Sequence, residues 1–287
     1  MIYKRPQQGF TLIEMIVVIT ITGILGAMVA IFLRAPLQQY TATARRAEMT
    51  DIADTALRRI GRDLRLALPN SVRVTGTCGG SGECLIEFLP TKGGGRYRAD
   101  TAQSGTNVGC GSLVADVLDF TAADSCFEVL GSAMAVNQYT ANTDRIVIYN
   151  LGTSVANAYA LNNTGVYASN TASTITLNPG KQFPLESPSS RFQVISTPVT
   201  YACDGAGVLW RYWNYAIQFG QPASIAALKG LAGALSAKMA DNVSTCNFSY
   251  DVNVVARRAG LVTMNLGITE DNESVTLYSA THVSNVP

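Results

Sequence analysis

Residues 10–33, FTLIEMIVVITITGILGAMVAIFL, form an apolar run whose single charge is Glu14. At about 1.5 Å of rise per residue, a helix over this run crosses the ~30 Å hydrocarbon core of a bilayer with some tilt. A cleaved secretory signal has an apolar region of about 7–15 residues followed by a small-x-small site. Here the run is longer, and Ala27–Ala30 matches such a site poorly. The run therefore reads as a single membrane span. Lys4 and Arg5 precede it and Arg34, Arg45 and Arg46 follow it, so charge counting leaves the orientation open.

Beyond the span the helical pattern continues. Met49, Ile52, Ala53, Ala56, Leu57, Ile60, Leu64 and Leu68 recur at three- and four-residue steps, while Arg45, Asp51, Asp54, Arg58, Arg62 and Arg65 lie mainly off that stripe. Pro36 lacks an N–H and is expected to kink the rod, and Pro69-Asn70 to end it. The spacing thus predicts a helix over 10–69, membrane-spanning over 10–33 and an amphipathic stem over 34–69. The apolar stripe of the stem needs a cover, which residues 70–287 must supply.

Those residues have a different character. Cys78, Cys84, Cys110, Cys126, Cys203 and Cys246 all fall there, none as C-x-x-C, and the only histidine is His282. Zinc sites need clustered Cys and His ligands, so no metal is assigned. An even cysteine count among many Ser, Thr, Asn and Gly reads as three disulfides, expected as 78/84, 110/126 and 203/246, with free buried thiols the alternative. Disulfides persist outside the cytoplasm, which orients the chain with a cytoplasmic N-terminus and an exported head. Strand patterns cover Cys84–Leu89, Arg145–Tyr149, Thr174–Leu177, Arg191–Ser196, Val199–Cys203, Val208–Trp213, Thr245–Asp251, Leu261–Ile268 and Ser274–His282. Asp204-Gly205-Ala206-Gly207 marks a hairpin turn. Residues 223–240 are expected to hold a short helix, and 92–112 and 152–173 to be loops. A long helix laid on an antiparallel sheet gives an α+β fold.

Enzymatic motifs are missing: the sequence has no G-x-S-x-G, P-loop, G-x-G-x-x-G or H-E-x-x-H. No catalytic residue and no cofactor is assigned. A formal net charge of +1, with only 14% charged residues, gives no electrostatic case for nucleic acid. Glu270-Asp271-Asn272-Glu273 suits a solvated turn as well as calcium. Trp210, Tyr212, Trp213 and Tyr215 suit a core or subunit interface, or a stacking platform for a sugar or single-stranded DNA.

Glu14 is the residue that a plain anchor does not explain, because a carboxylate in an apolar span costs several kcal/mol unless paired, neutralised or lifted to the interface. Its context is Gly9-Phe10-Thr11-Leu12-Ile13-Glu14, after the basic polar leader MIYKRPQQ. This string resembles the type IV prepilin processing signal. The resemblance implies that residues 1–9 are a leader peptide. It makes Gly9 the cleavage position of a prepilin peptidase, Phe10 the N-methylated mature N-terminus, and Glu14 the assembly carboxylate. Cutting after Gly9 would place an α-amine at the end of an apolar helix. Glu14 of a neighbouring subunit can pair with it in low dielectric, where losing one partner costs ~3–5 kcal/mol. Thr20, Thr22, Gly23 and Gly26 are weakly polar or small positions that permit close helix approach, or ordinary variation within a span.

RRAEMTDIADTALRRIGRDLRLALPNSVRV, VTYACDGAGVLWRYW and the ending GLVTMNLGI with ESVTLYSATHVSNVP resemble the MshO family of minor pilins in mannose-sensitive hemagglutinin (MSHA) pilus biogenesis, related to PilW-type minor pilins and J-type pseudopilins. The likeness covers the stem and the C-terminal third; residues between about Thr91 and Pro188 carry little of it. It implies an inner-membrane, single-pass subunit with a periplasmic head, later placed in a pilus, at or near its tip. Implied partners are other major and minor pilins, the prepilin peptidase and the inner-membrane assembly platform. A pseudopilin of type II secretion, or a membrane-tethered ligand-binding protein, is the alternative.

Overall fold

The computed structural model describes residues 9–79, 82–100, 116–131, 138–251 and 259–287. The chain divides into two compact units, residues 1–49 and 50–287. Helix α1, Leu12–Leu64, runs from one into the other.

In the first unit α1 is helical throughout, and Pro36, the residue expected from sequence to kink the rod, lies inside it. In the second unit its last turns bury Ala53, Ala56, Leu57, Ile60 and Leu64, the stripe expected from the spacing. The helix ends at Leu64 rather than at Pro69. Tighter bonds from Leu66 N to Asp63 O and from Ala67 N to Leu64 O close the last turn. Ala67 then bridges Pro90, while Leu68 N donates to Leu89 O at 2.8 Å. Pairing with an extended neighbour, before the proline is reached, terminates the helix.

The strands are β1 Arg73–Gly76, β2 Cys84–Phe88, β3 Thr91–Tyr97, β4 Asp124–Leu130, β5 Arg145–Ile148, β6 Thr164–Asn170, β7 Thr174–Lys181, β8 Arg191–Ile195, β9 Val199–Cys203, β10 Leu209–Trp213, β11 Leu235–Ala240, β12 Val243–Asp251, β13 Ala259–Glu270 and β14 Glu273–Ser284, with a short helix α2, Ile225–Lys229. They form a five-stranded sheet ordered β1-β2-β9-β10-β11, a three-stranded sheet β12-β13-β14, and a closed barrel β3-β4-β7-β6-β5-β8. The α+β layout of a long apolar helix with antiparallel sheets is present. The closed barrel is an addition to the sheet-only head read from sequence. It is inserted between the central strands β2 and β9, and its entry and exit meet where Ser196 N donates to Pro90 O at 3.2 Å.

The barrel explains why sequence patterns miss its parts. β3 reads Thr-Lys-Gly-Gly-Gly-Arg-Tyr, poor in β-formers, and lies in a stretch expected to be loop. A Cβ on Gly94 would sit 2.6 Å from Phe192 O, and one on Gly95 2.9 Å from the Phe192 ring, so these glycines let β3 close against β8. The expected loop 152–173 likewise contains a 3-10 turn at Ala158–Ala160 and strand β6. Within β6, Gly165 makes room for Leu177 and Phe183. The barrel interior is filled by Tyr97, Phe127, Tyr167, Leu177, Phe183 and Phe192 among others, a packed core rather than a channel. The helix expected over 223–240 is confined to α2. Gly230 caps it, Gly233 turns at φ +77°, and residues from Leu235 pair with β10 instead.

Two central strands, β2 and β9, are buried along their whole length. On one side Leu85 and Ala202 pack with Tyr212, Tyr215, Ile225 and Leu228. On the other, Tyr201 Oη donates to Asp63 Oδ2 at 2.7 Å, and Arg211 reaches the same oxygen at 3.3 Å. The three-stranded sheet also meets α1: a Cβ on Gly61 would lie 3.0 Å from Thr281 Oγ1. One helical turn therefore contacts both sheets.

A candidate processing and assembly segment

The segment singled out from the sequence sits at the start of α1. Phe10 is 80% exposed and precedes the first helical residue, Leu12. Thr11 acts as the cap: its Oγ1 accepts from Glu14 N at 3.4 Å and its carbonyl from Met15 N at 3.2 Å. Glu14 thus lies in the first turn, where the helix dipole favours a carboxylate. Its side chain is exposed, and among the described residues none pairs with it.

The helix that follows is long and apolar enough to cross a membrane, with a mean hydropathy of 2.7 over its most apolar 18 residues, none of them buried. Its polar positions are satisfied internally. Thr20 Oγ1 donates to Ile16 O at 3.0 Å and Val17 O at 2.9 Å, and Thr22 Oγ1 to Val18 O at 2.7 Å. Within lipid this leaves no orphan hydroxyl. Beyond the adjoining helix backbone, no described atom lies within 4 Å of a Cβ built on Gly23 or Gly26, so the small positions are open for a neighbour. The surface offered is apolar and gap-bearing, with one carboxylate near its end.

The cysteines hold the other unit together. Cys78 is bonded to Cys84, closing the β1–β2 connection, and Cys203 to Cys246, which staples the five-stranded sheet to β12. Cα separations of 4.7 and 6.3 Å lie in the usual range. Cys84 and Cys203 are cross-strand partners, so the two bridges are neighbours. Cys126 is disulfide-bonded as well; its expected partner, Cys110, lies outside the described residues.

Other residues marked in the sequence fall as follows. Glu270–Glu273 closes the β13–β14 hairpin, with Asp271 and Asn272 at φ +47° and +64°, the signature of a two-residue type I′ turn. Asp204 Oδ1 accepts from Ala206 N and Val208 N, fixing the expected β9–β10 turn. His282 is exposed on β14. The aromatic stretch splits by face. Tyr212 and Tyr215 are buried, with Trp210 packed against them, whereas Trp213 turns toward Arg211, whose guanidinium lies 5.0 Å from its ring centre. Trp213 lines a cleft of about 260 Å³ with Asp63, Leu66, Phe88 and Pro90.

Sequence reasoning overlooks three ion pairs built on buried carboxylates. Lys92 Nζ meets Asp144 Oδ2 at 2.8 Å, and Arg98 meets Glu128 in the barrel wall. Arg73 Nη2 meets Glu87 Oε1 at 3.0 Å in the five-stranded sheet. Burial pushes the Glu87 carboxyl up to about 7 despite the neighbouring guanidinium. Arg73 also holds the carbonyls of Gln218 and Phe219 at 2.9 and 2.8 Å, and stacks 3.5 Å above the centre of the Tyr159 ring. A charge inside an apolar strand, as in Cys-Leu-Ile-Glu-Phe, is the signal that marks such a pair.

Residues 4–30 match the family model for the prokaryotic N-terminal methylation motif. Neither a curated protein nor a solved structure matches the chain. The matched span contains Gly9, Phe10, Glu14 and the exposed part of α1 as far as residue 30. The chain carries a type IV pilin-like prepilin signal, which marks it as a pilin- or pseudopilin-like substrate of a prepilin peptidase, anchored by an apolar helix and destined for pilus-type machinery.

Proposed function

We propose that this protein is a minor pilin: a non-catalytic subunit that primes or caps an MSHA-like type IV pilus. It is cut between Gly9 and Phe10, methylated on Phe10, and incorporated through α1. The observation that carries this reading is the coincidence of the methylation motif over residues 4–30 with an apolar helix whose most hydrophobic stretch is unburied. A simple anchor needs neither the Gly9-Phe10 junction nor Glu14. An assembling helix needs both: a new amine at Phe10, and a carboxylate on the next subunit to compensate it in low dielectric. The resemblance of the stem and C-terminal third to MshO-type minor pilins supports a place at or near the pilus tip, reached from the inner membrane with the head in the periplasm. The disulfides suit that compartment.

The test is intact mass spectrometry of the protein from cells with an active prepilin peptidase. The expected species begins at N-methylated Phe10. A chain that retains Met1, or that begins near Arg34, contradicts the proposal.

A further inference from the structure

The sheet edges of this molecule are treated unequally. An exposed edge strand presents unpaired N–H and C=O groups, and proteins blunt such edges with short strands, bulges, lysine, proline or a covering element. Most edges here are blunted. β1 has only 4 residues. β11 has 6, carries the exposed Lys238, and pairs with β10 through a bulge at Leu209/Trp210. β12 has a bulge at Val243/Thr245 and lies beside β1 and β2. The barrel is closed and has no edge.

β14 is neither short nor bulged, and it carries neither lysine nor proline. It is 12 residues long, about 40 Å of extended chain. It pairs with β13 in unbroken register from Glu270↔Glu273 to Ala259↔Ser284, with no bulge. Its sequence, Glu-Ser-Val-Thr-Leu-Tyr-Ser-Ala-Thr-His-Val-Ser, holds no lysine, arginine or proline, and its one acidic residue is at the turn. Ser274, Thr276, Tyr278, Ala280, His282 and Ser284 form an exposed row, with Tyr278 68% exposed near the middle. Among the described residues no strand pairs with its outer side.

We propose that β14 is a docking edge that takes an extended strand of a different pilin-like subunit, by strand addition to the three-stranded sheet. Backbone groups dictate the chemistry of the occupant: it must be extended and free of proline along the paired length. A row of mostly small side chains around Tyr278 and His282, with no acidic residue, lysine or arginine in it, admits alternating small polar or apolar partners. A second copy of this chain is a poorer occupant. Its other edges are blunted, so it offers only its own β14, and antiparallel pairing of identical strands closes as a two-fold dimer that cannot extend along an assembly. The identity of the partner rests on the pilin reading; the docking edge rests on β14 itself.

The test uses the full-length chain in cells that assemble filaments, with a photoreactive benzoylphenylalanine in place of Tyr278 in β14 or of Ser236 in β11. The expected result is an adduct from position 278, at least 5-fold above that from 236, whose cross-linked peptide maps to an extended segment of another processed subunit. Adding Thr276→Lys should lower that yield several-fold while the 78/84 and 203/246 bridges still form, which separates a blocked edge from a misfolded head. Equal adducts at both positions, a homodimer alone, or no adduct from a chain that begins at Phe10 overturns the docking edge and leaves the processing reading standing. A chain that retains Met1 overturns the processing reading and, with it, the class of partner.

Discussion

The two ends of α1 are built from similar apolar residues and meet opposite fates. Ile16, Ile24, Met28 and Phe32 are exposed, whereas Ala53, Leu57, Ile60 and Leu64 are buried. The difference lies in what surrounds the stripe. In the C-terminal turns, polar residues flank a narrow apolar face, and Gly61 and Asp63 fit that face to two sheets. In the N-terminal turns the helix is apolar all round, which no single sheet can cover; such a helix is completed by lipid or by other helices. One half specifies this chain's own fold, and the other half specifies what the chain joins.

Substitutions at the two ends should therefore separate folding from assembly. The largest effect is expected at Leu64→Ala, a truncation of a fully buried side chain, which should destabilise the 50–287 unit by about 2–5 kcal/mol in denaturant unfolding. Ile24→Ala should leave that unfolding transition where it is. Asp63→Ala removes the acceptor shared by Tyr201 and Arg211, with a smaller expected loss of about 1–3 kcal/mol. If the two substitutions in the C-terminal turns do no more than Ile24→Ala, the contrast between the halves fails.

A finer effect concerns pH. Glu87 titrates at about 7 in the folded chain, above the ~4.3 of an unfolded glutamate. Between those values the folded state binds a proton that the unfolded state does not, so its contribution to stability falls as pH rises through the window, and the loss is complete above it. Thermal melts from pH 4.5 to 7.5 should show this slope in the wild type and lose it in Glu87→Gln. The smallest effect is expected for Asp54→Ala. Its i,i+4 bridge to Arg58 is solvent-exposed, and the melting temperature should not move.

How much of this was legible follows from what each residue depends on. The spacing from Ala53 to Leu64 shows the buried face of α1, because helical periodicity is local. Val199–Cys203 and the β13–β14 hairpin are readable for the same reason, through β-branched runs and a positive-φ turn. β3 is not, since its three glycines acquire their meaning from Phe192, almost 100 residues away, and from Tyr139. Residues 223–240 mislead in the other direction: alanine and leucine favour helix, but the free edge of β10 recruits Leu235–Ala240. At the processing segment the motif itself is short and contiguous, so Gly9, Phe10 and Glu14 are visible at once. The ion pair of Glu87 is visible only as an anomaly within a buried strand, because its partner Arg73 comes from another strand.

The central claim, that the exposed half of α1 exists to be packed against other subunits through Glu14, is tested most directly by Glu14→Ala. The measurement is the amount of this protein in sheared surface filaments, divided by its amount in the membrane, each relative to wild type. Membrane insertion should be preserved or eased by loss of a charge from the span, and the bridges 78/84 and 203/246 should form as before. The ratio should nevertheless fall several-fold, stopping short of zero for a subunit with few neighbours at a tip. An unchanged ratio at an unchanged membrane level would contradict the account.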